Sequence, residues 1–188
     1  MEDGQLTIRL KFLMKKSNRT VIVFGVSGSI GKKIFIHLEK SGYNVIGVSR
    51  GGSEFNNTLK CDLTIEEDVK NLFLKISKIT NKFDSLILAH GVQLRKKFHS
   101  ISSQEWDYVI NGNLRSNFLI LKYFCPHLID HDFGRIIGIS SLTSSIVIKN
   151  LSAYSSSKGG FEQLIKSVAI EYSNYNITAN TINPGRID

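Results

Sequence analysis

The chain has 188 residues, of which 41% are hydrophobic and 21% charged, which is the composition of an ordinary globular domain. Its formal net charge is +8, but the basic residues are spread along the chain without a nucleic-acid-binding motif, so we expect no nucleic-acid partner. The two cysteines, Cys61 and Cys125, have no metal-ligand spacing, so we predict no metal site, no disulfide and a cytoplasmic location. Because no apolar run is long enough to span a bilayer, we expect no membrane partner.

Residues 1–19 are predicted to form a flexible N-terminal extension, because they are polar and lack periodicity. A β-branched and aromatic run begins at Thr20 and marks the start of the folded domain, which we place at 20–188. We also predict that residues 1–13 are disordered or are not translated in the native protein.

From residue 20 onward, short apolar runs alternate with longer segments of helical periodicity. Several of these runs are apolar at consecutive positions, as strands buried on both faces require. The alternation predicts an α/β fold, a three-layer doubly wound parallel sheet of the Rossmann type. Capping boxes are predicted at Thr64 and Ser102, since a glutamate follows each residue three positions later. The predicted strands lie at 21–24, 45–48, 59–61, 86–89, 136–139 and 177–182, and the helices at 30–41, 65–80, 103–129 and 151–174.

A glycine-rich turn, GVSGSIG at residues 25–31, follows the first predicted strand and leads into a helix. Glycines at such a turn let the backbone approach a pyrophosphate at the helix N-terminus. We therefore predict a dinucleotide site, with a turn that merely packs tightly as the alternative. The candidate residues are Gly25, Ser27, Gly28, Ser29, Ile30 and Gly31.

Two positions suggest how the adenosine end is held. The second strand ends at Arg50, where NAD-preferring domains usually have an acidic residue. A guanidinium pairs well with a 2′-phosphate, so NADP is favoured, and NAD stays open because Glu54 follows nearby. Asp62, after the third strand, either meets the adenine or serves as a turn residue before Thr64.

Tyr154 and Lys158 are four residues apart on a predicted helix and therefore share a face. An ammonium near a phenol lowers the tyrosine pKa from about 10 toward neutrality and makes it a usable proton donor and acceptor. The spacing alone is close to a chance event, so its surroundings must decide. Ser140 and Ser141 end an apolar strand upstream, where ligands bind in open α/β sheets.

Taken in order, these elements resemble the short-chain dehydrogenase/reductase family from residue 20 to 188. The resemblance implies a sheet order of 3-2-1-4-5-6, a homodimer or homotetramer, and hydride transfer between a nicotinamide cofactor and a ketone or secondary alcohol. The matching segments are the glycine turn, Cys61-Asp62-Leu63-Thr64, Trp106-Asp107 with Asn113-Leu114, Ile139-Ser140-Ser141, Tyr154 to Lys158, and Asn183-Pro184-Gly185.

The resemblance also implies individual roles. Tyr154 exchanges a proton with the substrate oxygen, and Ser141 donates a hydrogen bond to that oxygen. Lys158 binds the nicotinamide ribose and lowers the tyrosine pKa, while Asn113 holds a water that relays protons. His90 replaces a common alanine, and we favour a structural role for its ring over a catalytic one. The resemblance implies further cofactor contacts at Leu63, Ala89, His90, Gly91, Pro184, Gly185 and Ile187.

Family members usually continue beyond the position of Asp188, so the resemblance implies that the usual last strand and the substrate-covering segment are missing. We predict a fragment of a longer enzyme, similar to 3-oxoacyl-carrier-protein reductases, acting on a small carbonyl or alcohol that is free or carrier-linked. The alternative is a non-catalytic dinucleotide-binding fragment or interaction module. The basic run Arg95-Lys96-Lys97 is either a solvated loop or a docking site for an acidic substrate carrier.

Overall fold

A computed structural model describes residues 19–185, so the predictions for residues 1–18 and for Ile187 lie outside the described residues. Six parallel strands form one sheet in the order β3-β2-β1-β4-β5-β6, which confirms the predicted topology. The strands are β1 Thr20–Phe24, β2 Asn44–Ser49, β3 Thr58–Lys60, β4 Ser85–Leu88, β5 Gly134–Ile139 and β6 Ile177–Ile182. The helices are α1 Ser29–Lys40, α2 Glu66–Ile79, α3 Ser103–Ile110, α4 Ser116–Asp130 and α5 Ser152–Glu171.

The central strand β1 shows why the sheet has layers on both sides. All five of its residues are buried, and successive side chains of a strand point to opposite faces. Ile22 and Phe24 join the larger apolar cluster, which contains residues of α2, α4 and α5. Val21 and Val23 join a second cluster with Phe35 of α1. The apolar run therefore fixes β1 in the middle layer.

The segment predicted as a helix at 103–129 is helical without a break from 103 to 130, but it contains a π-helical turn. A π-helical turn, Asn111–Arg115, separates α3 from α4. At this turn the Asn117 side-chain amide donates to the carbonyl oxygen of Asn113 at 2.6 Å. A single π turn keeps the backbone helical, so a prediction of helix does not distinguish it from an α-helical turn. Its effect is to bury Asn113 completely beside the carboxyl end of the sheet.

One of the two predicted capping boxes is confirmed and the other is wrong. Ser102 and Glu105 cap α3 reciprocally, at 3.2 and 2.9 Å. Thr64 does not cap α2, because its hydroxyl and its backbone N–H both donate to the Asp62 carboxylate, at 2.7 and 3.0 Å. Asp62 therefore serves as a turn residue before Thr64, while its contact with the adenine stays a prediction.

Cys61 and Cys125 are free, buried thiols, and burial raises the pKa of each to about 12, so neither is a ready nucleophile. No cluster of three or more potential metal ligands occurs within residues 19–185. Over the same residues, no helix combines the length and the apolar character needed to cross a membrane.

Candidate active site

The three glycines of the turn after β1 have different reasons to be glycine. Gly25 has a φ of +92°, and a Cβ there would lie 2.7 Å from the backbone nitrogen of His90. A Cβ on Gly31 would overlap the carbonyl oxygen of Gly25. Both are therefore required by the packing of the chain itself. Gly28 has an ordinary φ of −82°, and its Cβ would meet only the Gly25 oxygen, at 3.4 Å. The chain does not need glycine there, but a ligand that approaches the backbone does.

Helix α1 begins at this turn, and no side-chain cap or acidic residue balances the partial positive charge at its N-terminus. Its N-cap, Gly28, has no side chain to accept from the first N–H groups, and the first turn contains no acidic residue. Helix α2, by contrast, has Glu66, Glu67 and Asp68 in its first turn. Free N–H groups at the positive end of a helix form an anion site, and the pyrophosphate of a dinucleotide fits it.

A cavity of about 160 Å³ lies beside the turn and gathers most of the predicted adenosine-side residues. Gly28, Ser29, Gly31 and Ala89 do not line it: Gly28 precedes α1, Ser29 and Gly31 lie on α1, and Ala89 follows β4. The predicted residues that line it are Gly25, Ser27, Arg50, Asp62, Leu63, His90 and Gly91, and those that sequence reasoning missed are Ser49, Cys61, Thr64, Val92, Gly112 and Ser116. Four of the missed residues adjoin predicted ones, whereas Gly112 and Ser116 reach the cavity only through the π turn.

The charges around this cavity leave Arg50 available. The hydrogen bonds from Thr64, with Arg50 adding a smaller attraction, hold the pKa of Asp62 below its usual range. Glu54, which left NAD open, forms an ion pair with Lys32 of α1. Arg50 is exposed and forms no salt bridge within the part of the chain that the structure describes. A basic group therefore faces the adenosine end, and the nearby glutamate is already paired.

The imidazole of His90 is held as a neutral structural group. Its Nε2 lies 2.8 Å from Ser116 Oγ, and the Ser116 hydroxyl donates to the carbonyl oxygen of Gly112 at 2.9 Å. Ser116 has therefore used its proton, so His90 Nε2 must carry the hydrogen and donate it. Burial lowers the pKa of His90 to about 3, so the ring is uncharged at neutral pH. The favoured structural role fits this environment.

A second cavity, of about 510 Å³, contains the predicted reactive groups. Ser141 and Tyr154 line it together with three of the predicted cofactor contacts, Ile30, Pro184 and Gly185. Lys158 and Asn113 lie behind its wall. The residues that motif reasoning did not assign to this cavity are Gln93, Arg95, Leu142, Thr143, Ile148 and Leu151.

Ser141 is placed so that its proton is free. It follows β5 and caps the short helical turn Leu142–Ser144, so its Oγ accepts from the backbone nitrogen and the hydroxyl of Thr143, at 3.2 and 3.0 Å. A hydroxyl oxygen has two acceptor positions, and both are used. The remaining proton is free for the cavity that Ser141 lines together with Tyr154, and the Ser141 hydroxyl acts to lower the pKa of that tyrosine. The same proton can serve a substrate oxygen between the two groups.

Burial has a larger effect on the pKa of Tyr154 than any neighbouring charge, so the lowering of this pKa by Lys158 stays a prediction. The Nζ of Lys158 donates to the carbonyl oxygen of Ile139 at 2.9 Å and lies 5.8 Å from the centre of the Tyr154 ring. Burial lowers the pKa of Lys158 to about 8. Burial also raises the pKa of Tyr154 above its usual value, and the Ser141 hydroxyl opposes that shift. The buried lysine therefore holds its charge weakly.

Asn113 connects the reactive helix to the end of β4. Its Oδ1 accepts from the backbone nitrogen of Val92 at 2.7 Å, and its Nδ2 donates to the Val92 oxygen at 2.8 Å and to Ser157 Oγ at 2.9 Å. A Cβ on Gly91 would lie 2.9 Å from Asn113 Oδ1 and 3.6 Å from Lys158 Nζ. Both N–H donors of the amide are used, whereas Oδ1 and the backbone carbonyl oxygen, which accepts from Asn117, each keep one acceptor position, so a relay water would have to bind one of these two oxygens.

Comparison with known proteins agrees with this geometry. Residues 19–188 match the family described as short chain dehydrogenase. The chain belongs to the short-chain dehydrogenase family. It is therefore an oxidoreductase of a family that uses nicotinamide cofactors.

Similar proteins include several members of this family with different activities. The 3-oxoacyl-acyl-carrier-protein reductase FabG of Buchnera aphidicola is 32% identical over 184 residues, which cover 93% of this chain and 75% of that protein. Dehydrogenase/reductase SDR family member 6 of Aquarana catesbeiana is 29% identical, covering 90% of this chain and 71% of that protein.

Two solved structures of short-chain dehydrogenases superpose closely on this chain. Aldohexose dehydrogenase of Thermoplasma acidophilum has a TM-score of 0.85 and 32% identity, and the match covers 91% of this chain and 68% of that one. A metagenomic short-chain oxidoreductase in complex with NADP has a TM-score of 0.83 and 27% identity, covering 90% and 83%.

Proposed function

We propose that this protein catalyses reversible hydride transfer between a nicotinamide dinucleotide and a ketone or secondary alcohol, with Tyr154 as the proton donor and acceptor. The observation that carries the proposal is that Ser141 and Tyr154 line one cavity, with both acceptor positions of Ser141 filled by Thr143 so that the serine proton is free. The bound cofactor supplies or removes the hydride.

The side chains of the protein handle the oxygen and its proton. In the reducing direction, Ser141 donates a hydrogen bond to the carbonyl oxygen, and the charge that develops there is neutralised by the proton from Tyr154. Lys158, with a pKa of about 8, can pass a proton toward the phenol because its charged and neutral forms are close in free energy at mildly alkaline pH. The backbone carbonyl of Asn113 is the proposed site for a relay water.

We propose NADP as the preferred cofactor. Gly28 and the uncapped N-terminus of α1 would hold the pyrophosphate, and Arg50 would pair with the 2′-phosphate. The ion pair between Glu54 and Lys32 supports this preference, because it occupies the carboxylate that could otherwise hold ribose hydroxyls. A related short-chain oxidoreductase has been crystallised with NADP.

The substrate is proposed to be a small carbonyl compound or alcohol, free or carrier-linked, since one similar protein is a 3-oxoacyl-acyl-carrier-protein reductase and another an aldohexose dehydrogenase. A cytosolic homodimer or homotetramer remains our prediction, and the free, buried thiols of Cys61 and Cys125 suit a reducing compartment. The complete set of reactive groups favours an enzyme over a non-catalytic module.

The test is oxidation of NADPH and NADH by the purified chain with a panel of ketones and aldehydes. We expect NADPH to be consumed in a carbonyl-dependent manner, and Ser141→Ala to lower kcat by roughly 100-fold or more. Ser145→Ala is the matched control, because Ser145 is exposed on the same segment and should leave the rate unchanged. Absence of carbonyl-dependent oxidation of both cofactors by a folded, cofactor-binding chain would refute the proposal.

A further inference from the structure

The cavity that contains Ser141 and Tyr154 has a single charged residue, Arg95, among the described residues that line it. Arg95 lies in the segment between β4 and α3, after the turn that carries Gly91. The rest of the lining is neutral, and much of it is apolar, including Leu142 and Ile148. An anionic ligand that leaves water needs a charged partner, and apolar side chains cannot provide one. A guanidinium in such a lining therefore favours anionic ligands over neutral ones.

Arg95 has no ion-pair partner within residues 19–185, although its neighbour in the sequence does. Lys96 Nζ contacts both carboxylate oxygens of Glu105, at 2.7 and 2.8 Å. The backbone nitrogen of Lys96 also donates to the carbonyl oxygen of Asn150 at 2.9 Å. Through these contacts the segment is bound to Glu105 of α3 and to Asn150, which lies just before α5. The loop is therefore positioned by Lys96, while the donors of Arg95 remain unused.

The charge around Arg95 is positive. Lys97 lies in the same segment as Arg95, and Lys149 precedes Asn150 in the segment before α5. Both lysines are exposed and form no salt bridge among the residues that the structure covers. Two carboxylates in neighbouring elements are already neutralised, Glu105 by Lys96 and Glu162 by Lys166 at 3.2 Å. The three basic groups therefore create a field that attracts anions toward the cavity mouth.

We propose that Arg95 is a specificity-determining residue that binds an oxyanion group, a carboxylate or a phosphate, on the substrate itself. The inference rests on the proposed function, because Ser141 and Tyr154 are the residues that would meet the reacting carbonyl. Arg95 lines the same cavity of about 510 Å³, so a small oxo compound that reaches Ser141 and Tyr154 can also present an anionic group to the guanidinium. The substrate class is then an anionic oxo compound, and the planar donor fork of Arg95 holds its charged group.

The experiment compares matched pairs of substrates that differ only in charge. Oxo acids of four to six carbons are measured against their methyl esters, and oxo-alkyl phosphates against the corresponding alcohols, so that the two arms distinguish carboxylate from phosphate. The variants are Arg95→Gln, Arg95→Lys and the control Lys97→Gln, which removes a neighbouring cation that does not line the cavity. Binding of the same compounds to the cofactor-loaded chain is followed in parallel by saturation-transfer NMR, which requires no turnover.

We expect the wild-type chain to prefer at least one anionic compound over its neutral partner by roughly tenfold or more in kcat/KM. Arg95→Gln should remove this preference by lowering kcat/KM for the anion alone, and Arg95→Lys should restore part of it. Lys97→Gln weakens only the solvent-screened field at the cavity mouth and should change the preference less than about twofold. Equal use of anion and neutral partner, or an equal loss for both in Arg95→Gln, would overturn the inference and leave the proposed function intact. If nothing is turned over, the proposed function fails, and the NMR arm then decides: binding of an anion that Arg95→Gln abolishes supports the site, and its absence refutes it.

Discussion

Thr143 holds the hydroxyl oxygen of Ser141 with two donors, its backbone nitrogen at 3.2 Å and its own hydroxyl at 3.0 Å. The proton of Ser141 is therefore free for the cavity that it lines with Tyr154, and we propose Thr143 as a positioning residue. We expect Thr143→Val, which keeps the side-chain shape and removes one donor, to lower kcat about threefold to tenfold, because one hydrogen bond is worth about 1 kcal/mol. KM should stay within about twofold.

Thr143→Ser is the matched control for this prediction. It retains the donor and should restore most of kcat, and steady-state kinetics on all three proteins provide the measurement. If Thr143→Val changed KM and left kcat unaltered, the hydroxyl of Thr143 would not be orienting Ser141.

The difference between Gly28 and Gly31 predicts separate effects on binding and on stability. Gly28→Ala should lower the free energy of unfolding by less than about 1 kcal/mol, because the φ of Gly28 is ordinary and space surrounds its Cβ position. The same change should weaken NADPH binding by roughly tenfold or more, since a methyl group then occupies the path of the pyrophosphate. Cofactor titration and urea unfolding measure the two effects.

Gly31→Ala serves as the comparison for Gly28→Ala. Its Cβ would overlap the carbonyl oxygen of Gly25, so this variant should be destabilised by several times as much, on the order of 3 kcal/mol. A Gly28→Ala protein that binds NADPH normally would show that the turn does not hold the pyrophosphate.

The sequence predicted the sheet well because its strands are buried on both faces, and continuous apolar runs such as β1 have few other uses. It also brought Ser141 and Tyr154 together, since both follow from local motifs. It missed what depends on competition between neighbours: Thr64 reads as a helix cap, but Asp62 accepts both of its donors. The π turn around Asn113 likewise arises from tertiary packing.

Arg95 shows a further limit of sequence reasoning. Beside Lys96 and Lys97 it reads as one of three equivalent basic residues. The structure separates them, because Lys96 is bound to Glu105 and only Arg95 of the three lines the cavity. Such a distinction requires the position of α3 relative to the loop, which no local pattern encodes.

We predict that burying the charged Lys158 side chain lowers the free energy of unfolding, although the same side chain serves the proposed reaction. Its pKa falls from an ordinary 10.5 to about 8 on folding, so between these values the unfolded chain binds more protons and stability rises with pH. Below about pH 8 the full penalty of burying the charge is present. We expect Lys158→Met to raise the free energy of unfolding at pH 7 by about 1–3 kcal/mol, after the loss of the bond to the Ile139 carbonyl.

The gain from Lys158→Met should shrink as the pH rises from 8 toward 10.5, which urea unfolding at several pH values would measure. Lys166→Met on the same helix is the control, because Lys166 is half-exposed and its ion pair with Glu162 contributes less than about 1 kcal/mol. A Lys158→Met protein that is less stable than the wild type at pH 7 would contradict the assigned burial penalty.

The central claim is that Tyr154 gives its proton to a carbonyl oxygen while hydride is transferred, and Tyr154→Phe tests it most directly. The measurement is the rate at which deuterium passes from NADPH labelled at C4 of the nicotinamide into the carbonyl carbon of a substrate, with Tyr175→Phe, an exposed tyrosine, as the control. We expect transfer by the wild-type and control proteins, and a rate lower by a factor on the order of 1,000 in Tyr154→Phe with NADPH affinity unchanged. Deuterium transfer by Tyr154→Phe at the wild-type rate would contradict this role of Tyr154.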